Sequence, residues 1–180
     1  LDDGGELECW GTNHYGQIDV PDGQFDVVSV GAAHGCALDP DDEAECWGDD
    51  TFGQASPLDG PFTAISAGGV PVDPDEGWAA AEVSHTCGLE ADGSIVCWGD
   101  DSVGQLDAPA GSFSSLSVGW THSCAIDDAG AVECWGDPSD GRTDAPPGSF
   151  VAVAAGASHS CAVGDDGEVT CWGSSVGAVP

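Results

Sequence analysis

The chain has 180 residues, enough for one ordinary domain with its own core. Only 1 residue is Lys or Arg against 33 Asp or Glu, a formal charge of -32 that excludes nucleic acid and anionic lipid as natural partners. Hydrophobic content of 41% argues against disorder, and no apolar run is long enough to span a membrane.

The acidity reads first as a solvated surface suited to high salt, where screening makes it tolerable. It leaves cations, basic proteins and multivalent metal ions as compatible partners. There is no methionine, no recognisable signal peptide and no Asn-x-Ser/Thr sequon. The expectation is a mature product or a piece of a longer protein.

In chain order, the first element is a short run ending in Cys9-Trp10-Gly11. Residues 6–10 read as a third strand whose two predecessors are missing. Four full units follow. They are FDVVSVGAAHGCALDPDDEAECWG from Phe25, FTAISAGG…VSHTCGLEADGSIVCWG from Phe62, FSSLSVGWTHSCAIDDAGAVECWG from Phe113 and FVAVAAGASHSCAVGDDGEVTCWG from Phe150. The CWG cysteines stand at Cys9, Cys46, Cys97, Cys134 and Cys171, spaced by 37, 51, 37 and 37 residues. The second repeat therefore carries 14 extra residues (51 against 37). A fixed period of this size signals a repeat architecture.

Each unit holds three short β-like runs. The first alternates apolar residues at Val28 and Val30, Ile65 and Ala67, Leu116 and Val118, and Val153 and Ala155, as a strand with one buried face does. The second is H-x-C-[AG]-[LIV] and the third ends in C-W-G. Gly- and Pro-rich stretches such as GQLDAPAGSF at 104–113 separate the units. No amphipathic helix is evident.

The last two runs of each unit predict a hairpin with a three-residue loop, a type I turn followed by a Gly bulge. Gly93, Gly130 and Gly167 take the left-handed position, where the first copy has Asp42, and Pro40 fits the turn. This register sets the two cysteines opposite one another at a non-hydrogen-bonded pair, about 4.5 Å between Cα atoms. It predicts four disulfides: Cys36–Cys46, Cys87–Cys97, Cys124–Cys134 and Cys161–Cys171. Regular pairing argues for an oxidising compartment. Reduced buried thiols and metal ligation are the rivals, but zinc sites use tighter spacing than C-x₉-C. Cys9 is the odd cysteine, either free or bound to another chain.

The pattern G-x-x-H-[ST]-C-[AG]-[LIV] … DG-x-V-x-C-W-G … GQ resembles the regulator of chromosome condensation type of β-propeller repeat. The units are similar to compact bacterial versions with three-stranded blades. The resemblance implies an all-β, propeller-type array of about three short strands per 37-residue blade, with four complete repeats plus the orphan strand. The chain is then one repeat domain, 1–180, with units at about 9–45, 46–96 (insertion at about 69–83), 97–133 and 134–170, and a terminal segment 171–180. This count falls short of the closed ring the family usually builds. The chain is therefore a segment of a longer propeller, a small ring, or a subunit that shares open strand edges with others. The family's exchange-factor and chromatin roles do not carry over to so acidic a chain.

His34, His85, His122 and His159 recur two residues before a cysteine, and each is expected to bond backbone within its own blade. Trp10, Trp47, Trp98, Trp135 and Trp172 are expected between blades. Breaks in the pattern point to function. The insertion brings Asp73, Asp75, Glu76 and Trp78 into the loop where the next repeat carries Trp120, so the two tryptophans are expected on one face as a partner-binding patch. Arg142 replaces Gln17, Gln54 and Gln105, and Asp140 or Asp144 is its expected partner.

No nucleophile, P-loop, dinucleotide or zinc-protease signature appears. No cofactor is implied. The acidic turns supply carboxylates for weak Ca²⁺ binding but no full ligand loop. The expected protein is a secreted or cell-surface, non-catalytic module binding a protein or surface glycan. The alternatives are a subunit that polymerises into a fibre or layer, and an enzyme inhibitor or lectin-like module using the 69–83 and Trp120 loops.

Overall fold

Alternating apolar residues broken by turns give strands, and a computed structural model arranges them in four sheets. It describes residues 1–2, 4–70 and 83–174. The first blade holds β1 (Val27–Val30), β2 (His34–Leu38) and β3 (Ala44–Gly48). The second holds β4 (Phe62–Ala67), β5 (His85–Glu90) and β6 (Ile95–Gly99). The third holds β7 (Phe113–Val118), β8 (His122–Asp127) and β9 (Val132–Gly136), and the fourth β10 (Phe150–Ala155), β11 (His159–Gly164) and β12 (Val169–Gly173). Each is an antiparallel meander in chain order. The only helix among the described residues is a single 3₁₀ turn, Ser139–Gly141. The expected propeller-type array is thus the observed fold.

The hairpins have the predicted geometry. In the second blade Gly93 N donates to Glu90 O at 3.0 Å and Glu90 N to Ser94 O at 2.9 Å. Gly93, Gly130 and Gly167 have φ of 86°, 85° and 84°, and Asp42 follows them at 64°. Cys36, Cys87, Cys124 and Cys161 face Cys46, Cys97, Cys134 and Cys171 in register. All four pairs are disulfides, with Cα atoms 4.0–4.1 Å apart. These are close pairs of the non-hydrogen-bonded kind.

The core lies between blades. Trp98 packs with Cys36 and Leu38 of the preceding blade, Trp135 with Cys87 and Leu89, and Trp172 with Cys124 and Ile126. Each indole therefore closes over the disulfide of the blade before it. The ring nitrogens of Trp47, Trp98, Trp135 and Trp172 donate to the carbonyls of Gln17, Gln54, Gln105 and Arg142 at 2.9–3.0 Å. An indole buried with its N–H satisfied suits such a seam.

Trp10 departs from the expectation of a core position, being 83% exposed. Residues 6–10 likewise form no ladder, because no described strand lies alongside to complete one. Leu7 and Cys9 instead pack against Phe25, Ala37 and Trp47. Cys9 has no disulfide partner among the described residues.

Candidate functional site

The four inner strands β1, β4, β7 and β10 lie side by side around a common axis. Serine hydroxyls stitch them together: Ala67 N donates to Ser29 Oγ, Val118 N to Ser66 Oγ and Ala155 N to Ser117 Oγ, at 2.9–3.0 Å. Each strand ends in a glycine, Gly31, Gly68, Gly119 or Gly156, whose N–H bonds the carbonyl of its own blade's histidine at 2.8–3.0 Å. A Cβ at Gly68 would collide with Gly119 O. Glycine here permits close backbone approach between blades. Gly69 N reaches Gly119 O at 3.1 Å and Trp120 N reaches Gly156 O at 3.2 Å.

The ends of these strands line an open axial cavity of about 310 Å³ to which all four blades contribute. Trp120 stands on its rim, 41% exposed, at the position held by Ala32, Gly69 and Ala157 in the other blades. The insertion departs from this rim, where Val70 N donates to Val83 O at 3.0 Å. Asp73, Asp75, Glu76 and Trp78 lie outside the described residues. The patch predicted from sequence is therefore described through Trp120 and the base of the insertion.

The histidines correct one expectation. His34, His85 and His122 bond across blades rather than to backbone in their own. His34 Nε2 lies 2.8 Å from Thr86 Oγ1, His85 Nε2 2.8 Å from Ser123 Oγ, and His122 Nε2 2.7 Å from Ser160 Oγ. Thr86 Oγ1 donates to Gln54 O at 3.0 Å and Ser160 Oγ to Arg142 O at 3.3 Å. The hydroxyls of Thr86 and Ser160 have one proton each, so they accept from His34 and His122, whose proton sits on Nε2. The physical reason is position: each ring tucks beneath the next blade, where a hydroxyl is the nearest partner. Nδ1 of His34, His85 and His122 is buried without a hydrogen bond.

Burial, the largest cause, lowers His34 to about 4, His85 to about 3 and His122 to about 4. The neighbouring histidines His122 and His34 add to the effect on His85, and Arg142 to that on His122. They are neutral seam residues at physiological pH.

Arg142 is buried at the same seam as His122 and Ser160. It lies 3.3 Å from Asp137 and 3.2 Å from Asp140, and Nη1 donates to Thr121 Oγ1 at 2.8 Å. Asp140 is an expected partner. Asp137 takes the place expected of Asp144, because it corresponds to Asp49 and Asp100, which accept from Gln54 and Gln105 at 2.6 Å. The acidic turns are internally engaged: Asp39 Oδ1 accepts from Asp41 N and Glu43 N at 2.9 Å, and Asp127 Oδ1 from Ala129 N and Ala131 N at 2.8 Å. Among the described residues no group of three or more His, Cys, Asp or Glu side chains is placed to hold a metal ion.

The axial cavity was not foreseen from sequence. Its signal is the glycine repeated three residues before each of His34, His122 and His159, a spacing the insertion hides at Gly68.

The sequence profile of the Regulator of chromosome condensation (RCC1) repeat matches residues 26–54, 83–105, 113–142 and 150–176. No curated protein matches by sequence. Among solved structures, the entire ectodomain of the Physcomitrella patens receptor kinase CR4 is similar with a TM-score of 0.78 and 28% identity, over 98% of this chain and 48% of that one. The CRINKLY WD40 ectodomain of the Arabidopsis thaliana receptor kinase ACR4 is similar with a TM-score of 0.72 and 25% identity, over 99% of this chain and 60% of that one. Yeast RCC1 (Prp20), in a structure of Kap60 bound to it, shares the fold at a TM-score of 0.66 and 17% identity, over 86% of this chain and 45% of that one. The chain thus spans less than two thirds of each of these structures. It belongs to the regulator of chromosome condensation (RCC1) repeat family.

Proposed function

We propose that the chain is a non-catalytic binding module, extracellular or cell-surface, that recognises another macromolecule with the open end of its axial cavity. The observation that carries this reading is Trp120, a large aromatic left 41% exposed at a rim where every other blade has alanine or glycine. Binding sites break repeat patterns, and exposed aromatics set in a concave rim are efficient anchors. Likeness to two receptor-kinase ectodomains supports a recognition role, and four disulfides favour an oxidising compartment. The partner is a protein or a surface glycan. The charge disfavours nucleic acid and membrane insertion. An inhibitor or lectin-like role would use the same rim.

The reading needs no cofactor. Weak Ca²⁺ binding by the acidic turns is a separate proposal that calcium titration tests.

A displayed random peptide library, selected on this chain and counter-selected on Trp120→Ala, tests the reading. A consensus that the variant fails to hold supports it. Selection that yields no consensus, or one indifferent to Trp120, removes it.

The second reading is self-assembly through blade faces. Trp10 and Val30 at the first face, and Val151 at the last, are 83%, 67% and 65% exposed. In a longer polypeptide, further blades of the same chain would cover these faces. Solution mass separates assembly from binding, since a discrete monomer at high concentration opposes the polymer.

A further inference from the structure

We propose that the axial cavity takes a lysine or arginine side chain from a basic segment of a partner protein lying across its mouth. This rests on the reading of that end as the binding face and names its ligand chemistry.

Three observations converge. The cavity, about 310 Å³, has room for one or two side chains and not for a folded element. Its wall is glycine and alanine with Val30 and Val118, and Trp120 is its one aromatic lining residue. An indole face is the best aromatic platform for a cation.

Two main-chain oxygens belong to residues of the wall, at the joints between neighbouring blades. Gly119 O and Gly156 O each accept one bond, from Gly69 N and Trp120 N. Each carbonyl keeps a second lone pair for an ammonium or guanidinium donor.

The field selects the same sign. The chain carries -32, and its single Lys or Arg, Arg142, is buried and paired with Asp137 and Asp140. No internal cation competes for the cavity, and an anionic group meets repulsion along the approach. A purely apolar ligand would use the indole but gain nothing from the field.

The test is fluorescence anisotropy with a labelled octalysine peptide at two salt concentrations. The proteins are the intact chain, Trp120→Ala, Ala32→Trp and Asp128→Asn. Ala32→Trp copies the Trp120 position and fills the cavity from the first blade. Asp128, exposed at the far end beside a hairpin turn, is the charge control.

Binding by the intact chain should weaken about tenfold in both cavity variants and change little in Asp128→Asn. Should Ala32→Trp fold poorly, the amide spectrum of the intact chain serves instead. Octalysine should then shift the indole N–H of Trp120, assigned by its loss in Trp120→Ala. Equal binding by all four proteins with no such shift would mean diffuse attraction to acidic surface and overturn the proposal. A selected consensus that depends on Trp120 but lacks basic residues would also overturn it, while leaving the binding face intact.

Discussion

His85 Nε2 lies 2.8 Å from Ser123 Oγ, across the boundary between the second and third blades, and Cys87 Sγ sits 3.9 Å from the same hydroxyl. One serine thus touches the imidazole and the disulfide of the preceding blade. The pattern repeats at Thr86 and Ser160, so the blades are joined by a buried polar seam as well as by tryptophans.

The seam makes stability depend on pH. His34, His85 and His122 are held near 4, 3 and 4 in the fold, against 6.5 in the unfolded chain. Between these values the unfolded state binds more protons, so stability rises with pH. The contribution is complete above about 6.5 and is lost as pH falls toward 4 and 3. Urea midpoints measured from pH 7 to pH 4 should fall, and His85→Gln should fall less steeply across that window. A variant as steep as the parent would remove His85 from the account.

The disulfides should open in a set order. Cys36, Cys87 and Cys124 are fully buried beneath the next blade's tryptophan, whereas Cys161 is half-buried on the last blade. Reduction requires thiolate access to a sulfur. Under limiting reductant, alkylation and mass spectrometry should find Cys161 and Cys171 labelled first. Labelling of Cys87 and Cys97 at the same rate would contradict the burial argument.

Arg142 supplies a graded test. Arg142→Ala strips Asp137 of its cation and should cost on the order of 2 kcal/mol, below the figure for a deeply buried pair because Asp140 is exposed. Arg142→Gln should recover most of that loss, since Gln54 and Gln105 already bond the corresponding Asp49 and Asp100 at 2.6 Å. Thermal unfolding of both variants checks the order.

Asp42 sits at φ 64° where the other hairpins have glycine. A left-handed non-glycine residue is strained by roughly 1 kcal/mol, so Asp42→Gly should raise stability by up to about that amount. The reverse change, Gly93→Ala at φ 86°, should lower it. Denaturant titration of the pair reads both signs.

Fold and pairing were legible because they are local. Cys161, Gly167 and Cys171 lie within one hairpin, and loop chemistry fixes their register without knowledge of any other blade. The histidine partners were not legible, since Thr86 and Ser123 lie 52 and 38 residues from His34 and His85. Placing them requires the rotation from blade to blade, which no single hairpin encodes. The cavity escaped for the same reason: Gly69 and Gly119 meet only when the inner strands share an axis. Trp120 was visible as a break in pattern, though the space beside it was not.

The central claim is that recognition happens at the cavity end. Amide shift mapping with a ligand selected on the intact chain tests it most directly. The account predicts shifts concentrated at Ala32, Gly69, Trp120 and Ala157. Shifts concentrated at Asp42, Gly93, Gly130 and Gly167, at the opposite end of the blades, would contradict it.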